Sequence, residues 1–256
     1  MNLEQELKTA KQAAKKAGQK VMEIYNTDYD TFQKKDDSPV TEADLEAEKI
    51  ILPELEKFDY AILSEETKDN PQRLKAERAW IVDPLDGTQD FLDKTGEFSV
   101  MIGLAFKGQA VLGVVYQPTT DNLYYAQQGQ GAYLNDKKLK VSSVEKLNQS
   151  KFIVSRSHLS DKTDKFLNEA GASRVLMGSA GLKMGTIAQG KAEGYITTNT
   201  YQWDSCAPQV ILQEAGGQVT NLYGKELKYN RKEVKNTNGV VASNAEIHRK
   251  IIDGWG

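Results

Sequence analysis

Two carboxylates, Asp83 and Asp86, stand in the stretch Trp80-Ile81-Val82-Asp83-Pro84-Leu85-Asp86-Gly87-Thr88. Trp80, Ile81 and Val82 read as a buried strand, and the acids fall where that strand should end. Pro84 stiffens the turn between them. The segment from Thr88 to Lys94 can open a helix with Thr88 near its N-terminus. A strand end, two acids and a helix start in sequence would set metal ligands beside a phosphate cradle. Taken alone, the segment also reads as an acidic turn with a helix cap.

Other acids share that placement. Ser64-Glu65-Glu66 stands at the end of the short strand Ala61-Ile62-Leu63, and Asp204 opens a helix in Trp203-Asp204-Ser205-Cys206-Ala207. Each has a plain alternative, solvated loop acids for the glutamates and a dipole partner for Asp204. Together, acids at strand ends and helix starts can converge on one crevice. An all-oxygen ligand set favours magnesium, manganese or calcium over zinc.

The elements that must carry these groups fall into two parts, 1–148 and 149–256. Leu7, Ala10, Ala14, Ala17, Val21 and Ile24 recur at helical spacing over 2–26, and Ala43, Ala47, Ile50, Ile51 and Leu55 do so over 41–57. Thr41 and Asp44 have capping-box spacing at the second start. Strands at 60–64 and 79–83 precede an antiparallel meander over 98–134. From Lys151 strands and helices alternate: 152–155, 160–170, Val175-Leu176, 180–190, Tyr195-Ile196 and 203–215. Gly216-Gly217 then breaks the last helix before Gln218-Val219-Thr220, and the charged, turn-rich run 223–238 reads as a surface connection. The expected class is α/β with an α+β first half.

Composition narrows the function. With 39% hydrophobic and 27% charged residues, the 256-residue chain can bury a sizeable core. A net charge of -3 gives no basic footprint for nucleic acid. The single Cys206 allows no intramolecular disulfide and fits a reducing, cytoplasmic compartment. The polar, acidic start Met1-Asn2-Leu3-Glu4 is no signal-peptide core, and no apolar run is long enough to span a bilayer.

Four blocks in order carry a resemblance: Asp37-Ser38-Pro39-Val40-Thr41-Glu42-Ala43-Asp44, Ser64-Glu65-Glu66, Asp83-Pro84-Leu85-Asp86-Gly87-Thr88 and Trp203-Asp204-Ser205, with Glu214-Ala215-Gly216-Gly217 downstream. The sequence resembles the lithium-sensitive, magnesium-dependent phosphatase superfamily that includes inositol monophosphatase. Gly96-Glu97-Phe98-Ser99-Val100, Val154-Ser155-Arg156-Ser157-His158 and Lys183 make it most similar to the bacterial 3'(2'),5'-bisphosphate nucleotidase group. Where inositol monophosphatases carry a glutamate that holds the inositol ring, this chain has Thr197.

The resemblance implies a layered α-β-α-β-α sandwich of the sugar-phosphatase type, binding two or three magnesium ions, with manganese as a substitute. It implies that Glu65, Asp83 and the Leu85 carbonyl hold one ion, and that Asp83, Asp86 and Asp204 hold a second. Asp44 and Thr88 resemble the pair that handles the proton of the attacking water, with Glu65 placed for a further weak ion. Gly87 and Thr88 amides would hold phosphate, and His158 and Lys183 would contact substrate. The implied reaction removes the 3'-phosphate of adenosine 3',5'-bisphosphate to leave AMP, in a monomer or homodimer. Alternatives are an inositol monophosphatase, a fructose-1,6-bisphosphatase-like sugar phosphatase, or a transcription-associated protein-interaction factor.

Plain structural readings cover the rest. Cys206 reads as a buried helix thiol, and His248 as a surface residue of the last helix. His158 serves equally well as a helix cap, and Lys183 as a solvated side chain. Lys11, Lys15, Lys16 and Lys20 read as the wet face of the first helix.

Overall fold

The computed structural model describes residues 1–27, 31–33, 39–156 and 159–255. Asp37, Ser38, Ser157 and His158 lie outside the described residues. Helix α1 (Glu4–Tyr25) buries Ala10, Ala14, Ala17, Val21 and Ile24 as the spacing predicts. Lys15 and Lys16 are exposed, whereas the Lys11 ammonium lies 3.6 Å from the centre of the Tyr125 ring. Strands β1 (Thr31–Gln33) and β2 (Pro39–Thr41) pair antiparallel and lead into α2 (Glu42–Leu55). Thr41 caps α2: its Oγ1 accepts the Ala43 amide at 3.1 Å, and the Asp44 carboxylate accepts the Thr41 amide at 2.7 Å.

Then follow β3 (Ala61–Ser64), β4 (Arg78–Asp86), α3 (Thr88–Leu92), β5 (Ser99–Phe106), β6 (Gln109–Gln117), β7 (Asn122–Gln127), β8 (Ala132–Leu134) and β9 (Lys137–Lys138). These strands form one sheet in chain order, with β3 parallel to β4 and the remainder antiparallel. The second part supplies β10 (Lys151–Ser155), α4 (Asp161–Glu169), β11 (Ser173–Met177), α5 (Ala180–Ala188), β12 (Gly194–Thr197), α6 (Gln202–Glu214), β13 (Gly217–Thr220), β14 (Val240–Asn244) and α7 (Ala245–Trp255). Its sheet runs β11-β10-β12-β14-β13. β10 pairs parallel with β11 and β12, and β14 runs antiparallel to β12 and β13.

Side-chain alternation on these strands builds the layers. One face of the first sheet, with Trp80, Val82, Ile102, Leu104 and Val114, packs on α1 and α2. Its other face, with Ile81, Met101 and Val115, meets α5 and α6, which also cover Ile153, Tyr195 and Val219 of the second sheet. The far face of that sheet, with Phe152, Val154 and Ile196, packs on Phe166 and Leu167 of α4 and Ile247, Ile251 and Trp255 of α7. The order is helix, sheet, helix, sheet, helix, the sandwich that the resemblance implied.

Glycines let α6 lie flush on the first sheet. A Cβ on Gly113 would stand 2.0 Å from the Ala207 carbonyl oxygen, and one on Gly103 would stand 2.7 Å from Cys206 Sγ. Cys206 is fully buried there, and burial pushes its thiol pKa up.

Three readings of the sequence need correction. Strand β4 does not end at Asp83 but runs through Pro84 to Asp86. His248 is 4% exposed, lies between Thr220 and Ser243, and has a pKa pushed down by burial to about 4. The run 223–238 is not purely a surface connection, because Leu227, Tyr229 and Asn236 are buried. Asn230 also accepts a hydrogen bond from Arg73 at 3.0 Å, tying the two parts of the chain together.

Candidate active site

The end of β4 sets the geometry. Residues in a regular strand alternate faces, so Asp83 and Asp86 should point to opposite sides of the sheet. The register shifts between them: Asp83 pairs with Met101, yet Asp86 pairs with Ser99. The extra residue of this bulge resets the alternation and lets both acids reach one crevice. Gly87 follows at φ 94°, where a Cβ would come within 3.0 Å of the Glu97 carbonyl oxygen. Only glycine turns there without strain.

Electrostatics places five acids in that crevice. The Asp83 carboxyl is held well above the usual carboxylate range, first by burial and then by repulsion from Glu65, Asp86, Asp204 and Asp44. Asp204 is pushed up to about 8, by burial first and then by Asp86 and Glu65. Glu65 is carried there by β3, whose pairing with β4 extends through a 3.2 Å bond from the Glu65 amide to the Val82 carbonyl. Asp204 sits in the first turn of α6, where Oδ2 accepts the Tyr201 amide at 2.7 Å and Thr200 Oγ1 at 3.0 Å. It is thus the helix-dipole partner that its position suggested, while also facing the other acids. Among the described residues, no three or more His, Cys, Asp or Glu side chains close on a point with metal-ligand geometry.

Asp44 and Thr88 meet directly. The Thr88 hydroxyl lies 3.1 Å from Asp44 Oδ1 and 3.2 Å from the Leu85 carbonyl, two acceptors for its one proton. Asp44 Oδ2 accepts the Thr41 hydroxyl at 2.6 Å, so the cap of α2 orients the carboxylate toward Thr88. One turn on, Glu48 accepts Ser64 Oγ and, at 2.9 Å, Thr67 Oγ1, pinning the loop around Glu65 on both sides.

Lys183 is 4% exposed, which removes the solvated reading. Its ammonium lies 5.4 Å from the Tyr195 ring centre. Burial lowers its pKa, against the pull of Asp86, Asp90, Asp204 and Glu97. Beside it, Arg156 pairs with Glu97 at 3.0 Å and Asp90 at 3.7 Å, and Glu97 accepts the Gly178 amide at 2.8 Å. Sequence reasoning missed Glu48, Asp90 and Ser179 at this site. Glu48 was signalled by its place one turn after Asp44 on the same helix face.

The sequence matches the inositol monophosphatase family over residues 2–254. The chain belongs to the inositol monophosphatase family. It is 36% identical over 230 residues to the 3'(2'),5'-bisphosphate nucleotidase CysQ of Salmonella typhimurium, covering 87% of this chain and 93% of that protein. It is 34% identical over 207 residues to a fructose-1,6-bisphosphatase/inositol-1-monophosphatase of Thermotoga maritima, covering 79% and 78%. Among solved structures, CysQ of Bacteroides thetaiotaomicron superposes with a TM-score of 0.82 at 31% identity, over 95% of this chain and 99% of that one. The layered sandwich is the fold of this family, and the chain is a phosphatase of the inositol monophosphatase family. Among the described residues, no helix is long and apolar enough to cross a membrane.

Proposed function

We propose that this protein is a magnesium-dependent phosphomonoesterase that removes the 3'-phosphate of adenosine 3',5'-bisphosphate. The observation that carries the reading is the crowding of Glu65, Asp83, Asp86 and Asp204 around one crevice, with Asp83 repelled by all the others. Hard carboxylate donors without His or Cys fit magnesium. Glu65, Asp83 and the Leu85 carbonyl would hold one ion, and Asp83, Asp86 and Asp204 a second, with Asp83 common to both. When bound, magnesium supplies the charge that offsets these acids and the phosphate, and acidifies water.

The chain's own groups do the rest. Asp44, fixed by Thr41, holds the Thr88 hydroxyl so that it can accept a proton from the attacking water and pass it to the carboxylate. Backbone amides at Gly87 and Thr88 hold phosphate oxygens at the start of α3. Positioning and charge neutralisation, not covalent catalysis, carry the rate. Lys183 pairs with a second phosphate, which a nucleoside bisphosphate has and inositol 1-phosphate lacks. Thr197 is 7% exposed and offers no carboxylate to an inositol ring.

Similarity to a CysQ nucleotidase supports this substrate choice over the sugar phosphates named for the Thermotoga relative. The test is phosphate release from adenosine 3',5'-bisphosphate, inositol 1-phosphate and fructose 1,6-bisphosphate, with magnesium and with EDTA. The nucleotide should have the highest kcat/KM, and EDTA should abolish turnover. Equal or better use of inositol 1-phosphate overturns the nucleotide assignment, and full turnover in EDTA overturns the metal reading.

A further inference from the structure

We infer that Ser179 is a positioning residue for the metal crevice, acting through Asp86, and that backbone strain at Ser179 is maintained to aim its hydroxyl. This rests on the reading of Asp86 as a metal ligand. Ser179 precedes α5 at φ 52° and ψ 121°, a conformation that side-chain-bearing residues rarely hold. The chain is forced into it by its surroundings. A Cβ on Gly178 would lie 2.3 Å from the Asp90 carboxyl carbon and 2.4 Å from the Glu97 carbonyl oxygen. The Gly178 amide is itself held by Glu97 at 2.8 Å. The backbone therefore enters α5 through a slot that fits only glycine, and Ser179 takes the next turn.

The hydroxyl that results is fully used. Ser179 Oγ donates to Asp86 Oδ2 and accepts the Leu182 amide at 3.1 Å. Its single proton goes to Asp86, so Ser99 Oγ, 2.9 Å away, is the donor in that contact. The Gly181 amide adds a second donor to Asp86 Oδ2 at 2.9 Å. Both donors converge on one carboxylate oxygen, and among the described residues Oδ1 receives none. That fixes the rotation of the carboxylate and commits Oδ1 to the crevice. Ser179 is 3% exposed and Ser99 fully buried, so water cannot replace the contact. Through it, α5 of the second part of the chain orients a ligand carried by the first.

Outer donors of this kind are worth roughly ten- to a hundredfold in metal affinity. Ser179→Ala removes the hydroxyl and keeps the strain. Ser179→Gly removes the hydroxyl and relieves the strain. Magnesium binding by calorimetry and melting in EDTA separate the two effects. We expect both variants to bind magnesium about tenfold more weakly than wild type. Ser179→Gly should melt above Ser179→Ala by about 3 °C or more. A purely structural role would make affinity follow melting, with the glycine variant binding like wild type, and that result overturns the inference. So does binding within twofold of wild type in both variants, which leaves the metal reading standing. No magnesium binding by wild type overturns the metal reading beneath it.

Discussion

Replacing Asp204 by asparagine should make the metal-free protein more stable while destroying its response to magnesium. Asp204 is raised from its ordinary 3.8 to about 8, so folding forces it to hold a proton that the unfolded chain gives up. The sign follows from linkage. Below pH 4 both states are protonated and the group costs nothing. As pH rises the unfolded chain ionises first, so the metal-free fold loses stability across roughly pH 4 to 8. At pH 7 the difference is about three pH units, or about 4 kcal/mol. Asp204 is only partly buried, and solvent screening leaves about half of that. An asparagine keeps an oxygen for the Tyr201 amide and the Thr200 hydroxyl, so the α6 cap survives. About 2 kcal/mol corresponds to roughly 4–8 °C in a chain of this size. Differential scanning calorimetry in EDTA at pH 7 should show Asp204→Asn melting higher than wild type by that margin, with the gap closing toward pH 4. Magnesium at a hundred times its dissociation constant should stabilise wild type by ~2.7 kcal/mol and reverse the order. A variant that melts below wild type in EDTA, or that gains as much from magnesium, refutes the reasoning.

Thr88→Ala and Asp44→Asn should each lower kcat by ~10²–10⁴ while magnesium binding survives; calorimetry showing lost binding would move that residue into the metal shell. His248, neutral because burial lowers its pKa to about 4, contributes stability that is full above pH 6.5 and lost as pH falls toward 4. That amounts to about 3 kcal/mol, and urea melts of wild type and His248→Asn between pH 4 and 7 should converge at the acid end. Gly113→Ala should displace α6 and with it Asp204, because its new methyl meets the Ala207 carbonyl oxygen at 2.0 Å; lost magnesium affinity in a folded variant is expected, and a variant with wild-type melting and affinity contradicts the packing argument.

The parts of this protein that local chemistry dictates were legible in its sequence. The apolar spacing of α1 and α2 reports their buried faces, because a helix repeats its contacts every turn. Thr41 and Asp44 announce a cap, since both partners lie within one turn. The strand-helix rhythm after Lys151 reports the second sheet for the same reason. What failed depends on distant partners. The acids looked like a strand end, with Pro84 stiffening a turn, yet a bulge accommodates the proline and β4 continues to Asp86. His248 looked exposed on a polar helix end, but its partners Thr220 and Ser243 come from β13 and β14.

The site shows the same division. The acids were visible as residues at element ends, but the means of aiming them were not. Asp44 is aimed by a neighbour in sequence, Thr41, and could be read. Asp86 is aimed by Ser179 and Gly181, far along the chain, and the loop of Glu65 is pinned by Glu48 from the helix before it. Long-range aiming has a thermodynamic reason. Burial and mutual repulsion raise the carboxyls of Asp83 and Asp204 in the metal-free fold, so the crevice cannot be held together by its own members. It needs donors on separate, well-packed elements, here α2, α5 and α6, whose apolar burial offsets the repulsion. In the function proposed above, the core that joins the two sheets through α5 and α6 would serve catalysis as well as stability, because it would keep the acids together for the cations.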